Sequence, residues 1–282
     1  MYCGIAKMTD DRGLGGMPLY AHLERIARGL AARGIGPLDP IPPAELLTLD
    51  QWHYHGADAV RAAAGFLALG PGSRVLDVGA GIGGPARLLA QLTGCRVTAL
   101  ELQPALHALG ADLTRRCGLA DRVDHVCGDA LAVELPAGGF DAVVSFMALL
   151  HVPERARLLR RLAEALAPGG QGYVEDLCQR APFAARERHA LRTVVHGVTV
   201  TDIAAYAAEL AAAGFAEIVV TDLAADWASH AAARLAAWRA DRAAYAAVHG
   251  EGAWAALERH YAGIDRLYRG GSLGGVRLTA RR

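Results

Sequence analysis

The stretch RVLDVGAGIGGPARLLA, residues 74–90, sets an apolar run, a glycine-rich turn and a helix-forming segment in direct succession. Glycine is needed where a backbone takes positive φ or where a ligand must approach the main chain, and the first amides of the following helix point into that same space. Pro85 suits the first helical turn. Short apolar runs recur at residues 96–101 (RVTALE), 122–129 (RVDHVCGD), 140–146 (FDAVVSF) and 169–176 (GGQGYVED), alternating with helical stretches at 86–92, 105–117 and 156–167. Strand, helix, strand in repetition reads as a parallel sheet covered by helices on both faces. A helix over 202–213, a strand over 216–222, an alanine-rich helical region over 227–269 and a final strand over 274–280 follow, and residues 182–200 carry no assignable pattern. The expected core is α/β, a Rossmann-like, doubly wound, mostly parallel sheet of seven strands.

Ahead of this core, residues 19–33 have apolar positions at helical spacing, which the glycines and proline of 34–37 break. Prolines at 40, 42 and 43 stiffen a loop, the cluster DQWHYHG (50–56) follows, and a second helix over 57–69 ends at Gly70-Pro71-Gly72. The expected organisation is an N-terminal helical cap over 1–70 and a main domain over 71–282, with a helical insertion at about 226–270 before the last strand. That insertion shows no fixed-period repeat and reads as a helical hairpin packing on the sheet or on a second subunit. With 53% hydrophobic and 21% charged residues and a formal net charge of +0, the chain is an ordinary globular protein with no field to attract nucleic acid or anionic lipid. The expected partner is therefore small and roughly neutral. The five cysteines lack disulfide or zinc spacing, residues 1–16 lack the apolar core of a secretion signal, and no apolar run approaches the ~20 residues of a membrane span. Cytoplasm is the expected compartment.

Gly79, Gly81 and Gly84 formally satisfy the dinucleotide fingerprint, so an NAD-dependent oxidoreductase is one reading. Asp77 argues against it: a carboxylate at the strand end repels a pyrophosphate and suits a cationic ligand. S-adenosylmethionine, with an ammonium and a sulfonium, fits that charge. Glu101, about 20 residues past the turn, can accept both ribose hydroxyls, and Asp129 can accept from the adenine amino group.

The ordered set VLDVGAGIGGPA, ALELQ, CGDAL, FDAVVSFMALLH and LAPGGQGYVED resembles the class I S-adenosylmethionine-dependent methyltransferases, in particular the small-molecule branch that includes the sarcosine and dimethylglycine methyltransferases. DQWHYHG and the terminal GGSLGGVR resemble flanking elements of bacterial and algal members of that branch. The resemblance implies that Asp77, Gly79, Gly81 and Gly83 line the methionine half of the cofactor. It implies too that Glu101 holds the ribose, Leu102 packs on the adenine, and Asp129 with Ala130 binds the adenine edge. Ser145 and Met147 would lie beside the methionine moiety and the reacting face, and the last strand would run antiparallel to the others.

Methyl transfer is an in-line displacement on an already activated methyl, so alignment and exclusion of water can supply most of the acceleration. The cap is expected to close over the crevice, with Tyr54 or Trp52 facing the sulfonium, where a ring face stabilises a desolvated cation by about 2 kcal/mol. A neutral histidine can take a proton from the acceptor, with His151 the first candidate and His55 and His53 behind it. A metal held by His53, His55, Glu175 and Asp176 is not expected, because residues two apart face opposite sides of a helix. Asp176 is a candidate for binding a cationic acceptor. Arg180 and His196 are candidates for lining the acceptor pocket, with solvated surface positions the alternative. The expected activity is transfer of a methyl group to nitrogen or oxygen, with carbon also open, of a small metabolite of specialised metabolism, leaving S-adenosylhomocysteine. A homodimer is possible. A methyltransferase-fold protein acting as a non-methylating cyclase or a cofactor-binding scaffold is the alternative, ahead of the oxidoreductase.

Overall fold

A computed structural model describes residues 17–282, so the reading of residues 1–16 and of Cys3 lies outside the described residues. The seven strands are β1 (Arg74–Val78), β2 (Arg96–Glu101), β3 (Val123–Cys127), β4 (Phe140–Phe146), β5 (Leu166–Gln179), β6 (Ala216–Asp222) and β7 (Leu273–Arg281). They form one sheet in the order β3-β2-β1-β4-β5-β7-β6, with β7 antiparallel to both neighbours and the other pairs parallel. The mostly parallel sheet and the reversed last strand both agree with expectation. The chain winds outward from β1 to β3 and then returns to place β4 on the other side of β1. The connections after β1 and β4 therefore diverge and open a crevice at the carboxyl ends of these strands.

Parallel strands covered on both faces need near-continuous apolar runs. In β1 the four residues after Arg74 are all buried, and successive side chains go to opposite faces. Val75 joins Val97, Ala99 and the helices α3 (Ala57–Leu67) and α4 (Gly84–Thr93), through Ala63, Leu88 and Leu89. Leu76 joins Leu100 and Val143 on the other face, where α6 (Arg155–Ala165) and α8 (Ile203–Ala212) supply Leu158, Leu162 and Leu210. Asp202 starts α8 by accepting from the Ala205 amide at 2.8 Å.

Three sequence readings are refined. The opening helix is two pieces, α1 (Pro18–Ala21) and α2 (Glu24–Ala31). The unassigned 182–200 holds a short helix, α7 (Ala185–Ala190), and a π-helical turn (Leu191–Val195). The alanine-rich region is three helices rather than a hairpin: α9 (Ala224–Ala240), α10 (Arg242–His249) and α11 (Glu251–Arg269).

The segment before α3 buries Ile26, Leu30, Ile41 and Leu46 against Ile82 of the glycine turn and against Leu106 and Leu113 of α5 (Pro104–Arg116). Asp50 and Arg87 form a buried ion pair at 3.0 Å that fixes this segment to α4. Gly84 is required there, because a Cβ would come within 2.4 Å of the Asp50 carbonyl oxygen. From the other side α9 packs on α11, α1 also contacts α11, and Arg28 of α2 donates to the His249 carbonyl of α10 at 2.8 Å. The N-terminal segment and the insertion thus meet above the strand ends. Among the described residues no helix is long and apolar enough to cross a membrane.

Candidate active site

Two cavities open above β1 and β4. Tyr20, Gly79, Gly81, Ala148 and His151 line both, so they are lobes of one crevice that meet along this strip. Gly79 cannot carry a side chain: its φ is 74° and a Cβ would lie 2.2 Å from that of Ala148. Met147, across the strip, holds a left-handed φ of 60°, a strain that surrounding structure must impose on a non-glycine residue.

The smaller lobe is lined by Glu101, Leu102, Gln103, Asp129 and Ala130 from the ends of β2 and β3. Glu101 accepts from the Gly81 amide at 2.9 Å and the Gln103 amide at 2.8 Å, which fixes its carboxylate against the turn. A carboxylate has about four lone-pair sites, so Glu101 can still accept from a ligand hydroxyl. Asp129 accepts from the Leu131 amide at 2.9 Å. Asp77 is buried beneath the turn, and its Oδ2 has no hydrogen-bond partner among the described residues. Burial raises the Asp77 carboxyl to about 7, assisted by the charge of Glu101, and burial raises Glu101 to about 7 against its backbone hydrogen bonds. Asp77 lines neither lobe while Glu101 reaches the smaller one, and among the described residues neither has a cationic partner, so the pair favours a ligand that brings positive charge and hydroxyl donors over a pyrophosphate. An adenosyl cofactor with a sulfonium and an ammonium fits this donor set.

The larger lobe is mostly aromatic and aliphatic. Trp52, His53 and Tyr54 enter from the N-terminal segment, Phe146 and Met147 from the end of β4, and Arg234, His260 and Tyr261 from the insertion. His53 packs on Phe146 with ring centroids 4.8 Å apart and hydrogen-bonds the Gly56 carbonyl at 2.9 Å. Burial holds its pKa down to about 4. His151 follows β4 in a short 3-10 turn, and its Nδ1 bonds the His196 carbonyl at 3.0 Å, which makes Nδ1 the donor and Nε2 the basic nitrogen.

Of the residues singled out in the sequence, the crevice brings together Gly79, Gly81, Glu101, Leu102, Asp129, Ala130, Met147, His151, His53 and Tyr54. Others stand elsewhere. His55 takes a positive φ of 55° that carries its ring away from the crevice to Asp226, 2.7 Å from Nε2, so it is no candidate base. Tyr54 lines the larger lobe, but its ring is stacked on Trp227 at 4.1 Å and lies 5.5 Å from the Arg234 guanidinium, so it offers no vacant face to a sulfonium. Trp52 likewise has the Arg25 guanidinium 4.4 Å over its ring. The Ser145 hydroxyl is wholly buried and donates to the Val78 carbonyl at 2.9 Å, tying β4 to β1 rather than lining a lobe. Gly83 lines neither lobe and packs toward His125 and Arg87. Asp176 accepts from the Tyr206 hydroxyl at 3.0 Å, wholly buried, and Arg180 pairs with Asp222 at the surface. His196 contributes its carbonyl to His151, and its ring lines neither lobe.

Sequence reasoning passed over Tyr20, Arg234, His260 and Tyr261. The available signal was the spacing of large side chains among alanines: Trp227, Ala231 and Arg234 on α9, and His260, Tyr261 and Ile264 on α11, recur at helical intervals.

The fold and this crevice are similar to those of class I S-adenosylmethionine-dependent methyltransferase domains. Residues 75–170 match the family described as a methyltransferase domain. Over 99 residues the chain is 39% identical to sterol 24-C-methyltransferase of Eremothecium gossypii, covering 35% of this chain and 26% of that protein. Over 167 residues it is 30% identical to phosphoethanolamine N-methyltransferase 3 of Arabidopsis thaliana, covering 59% of this chain and 34% of that one. These matches span no more than about a third of those relatives' length. In fold, the chain is similar to phosphoethanolamine N-methyltransferase 2 of Haemonchus contortus solved with S-adenosyl-L-methionine. The TM-score is 0.81 at 18% identity, over 98% of this chain and 60% of that one.

Proposed function

We propose that the protein transfers the methyl group of S-adenosylmethionine to an oxygen or nitrogen of a small metabolite. The observation that carries this reading is the strip shared by the two lobes. It joins a lobe suited to an adenosyl cation to a mostly apolar lobe, and His151 and Tyr20 stand on it. When bound, the cofactor supplies a methyl group activated on a sulfonium. Asp77 and Glu101 hold its charge and ribose, and Asp129 holds the adenine edge. The apolar walls exclude water and align the acceptor with the methyl. His151 Nε2 takes the proton that an acceptor hydroxyl or amine releases. Burial and the neighbouring Glu101 raise the Tyr20 phenol, so it stays protonated and donates to the acceptor or cofactor. Parallel calorimetric titrations with S-adenosylmethionine, S-adenosylhomocysteine and NAD test the reading. Micromolar binding of both adenosyl compounds without an NAD signal supports it, and NAD binding alone would replace it with hydride transfer.

A further inference from the structure

Arg234, on α9, is the only arginine or lysine among the described residues that line the larger lobe. A guanidinium has five N–H groups, and three are engaged here. Nη1 donates to the Trp52 carbonyl at 3.4 Å, and Nη2 to the His53 carbonyl at 2.9 Å and to His230 Nε2 at 2.8 Å. The Nε–H makes no hydrogen bond, and in this half-buried side chain it is not sealed from solvent. No carboxylate among the described residues is left to pair with it. Asp50, the sole acid in that lining, is held by Arg87 at 3.0 Å, and Asp226, on the same helix, faces His55 at 2.7 Å.

The groups around the guanidinium bring no negative charge. The ring centroids of Tyr54 and Tyr261 lie 5.5 Å and 5.8 Å from its carbon, at the outer reach of a cation–π contact. Burial keeps the pKa values of His53, His230 and His260 down to about 4, and the Arg234 charge pushes each the same way, so all three are neutral near pH 7. A strut between α9 and the N-terminal segment needs only the two carbonyl bonds, which a neutral donor also makes; that role leaves the charge unused. A cation facing a mostly apolar cavity without a counter-ion favours an anionic ligand, and its hydrogen bond to a carboxylate is stronger than one to a neutral acceptor.

We propose that the methyl acceptor carries a carboxylate that pairs with Arg234, while the atom to be methylated lies at the strip shared by the two lobes. A single cation matches one carboxylate better than a doubly charged phosphate. Arg234 lines the larger lobe alone whereas His151 lines both, so the charge that is recognised and the proton that is removed belong to different ends of the acceptor. Arg234 is thus a specificity-determining residue. The inference rests on the methyl-transfer reading, and its test separates the two. The full chain is titrated first with S-adenosylhomocysteine; no binding defeats the methyl-transfer reading itself. The saturated protein is then titrated with acid and amide pairs of matched shape: octanoate and octanamide, 4-hydroxycinnamate and 4-hydroxycinnamamide, 2-naphthoate and 2-naphthamide. In at least one pair the carboxylate should bind at least tenfold more tightly than its amide. No such preference in any pair, or a preference for the amides, overturns the proposal. Arg234→Gln should bring the ratio to within about twofold while leaving the affinities for the amide and for S-adenosylhomocysteine unchanged, and Arg234→Lys, which keeps the charge, should restore part of it. Equal weakening of acid and amide in Arg234→Gln would make the residue a strut alone, and an unchanged ratio would place the carboxylate elsewhere; either result removes Arg234 from acceptor recognition.

Discussion

Asp77 and Glu101 stand beside the crevice with no cation near them among the described residues, both raised to about 7 from ordinary values of 3.8 and 4.5. In the ligand-free protein each binds more protons folded than unfolded across that interval. Their contribution to stability is therefore full below about pH 4 and declines as pH rises toward 7. A cationic ligand prefers both ionised, so affinity for S-adenosylmethionine should rise from pH 6 to pH 8 with proton release. Calorimetry in two buffers of different ionisation enthalpy reads this directly, and a pH-independent affinity would contradict the charge assignment. Asp77→Ala and Glu101→Ala should each weaken cofactor binding at least tenfold, about 1.4 kcal/mol, without unfolding the chain. His151→Ala should instead lower kcat while leaving cofactor affinity intact; an unaltered rate with a working acceptor would end its role as a base. The acids at strand ends were legible because the carboxyl end of a strand can be read from the alternation of apolar runs. His55 was not, because a left-handed residue after Tyr54 redirects one side chain, and nothing in the letters HYHG announces that φ.

The N-terminal segment holds its place over the crevice through few polar anchors, and Asp50–Arg87 is the most deeply buried of them. Removing one partner leaves the other charged and unpaired in the interior, which costs far more than the pair contributes as a whole. Asp50→Ala should therefore destabilise the protein by about 3–5 kcal/mol, seen as a lower urea midpoint at unchanged slope. A loss under 1 kcal/mol would mean that water reaches Arg87 and that the segment lifts easily. The sequence disclosed the helices of this segment and of the insertion but not what they cover. An amphipathic pattern shows that a helix has a buried face and is silent on its partner, so α9 and α11 read as a generic hairpin although they wall the acceptor lobe. The unpatterned 182–200 escaped for a related reason. Its short helix and π-helical turn are held by tertiary contacts such as Val195 against Leu150 and Trp227, with no period long enough to read.

Cofactor binding should extend beyond the strand ends, because Tyr20 lines both lobes from α1 and α1 rests on α11. A ligand in the smaller lobe therefore orders one end of a contact chain that runs from the adenosyl site through the N-terminal segment to the insertion. At 100 times its Kd, S-adenosylhomocysteine stabilises the folded state by about 2.7 kcal/mol, a Tm rise of about 5–10 °C for a chain of this size. The physical question is where that free energy appears. If the two roofing elements move independently, amide exchange slows only at the turn over residues 79–84 and at the ends of β1 and β2. If they move as the contacts require, exchange slows in α1 and α11 as well, and Tyr20→Ala leaves protection at the turn but removes it from α11. Protection of α11 that persists in Tyr20→Ala would show that the insertion closes by itself, and would relocate the coupling to the Arg234 contacts with residues 52 and 53.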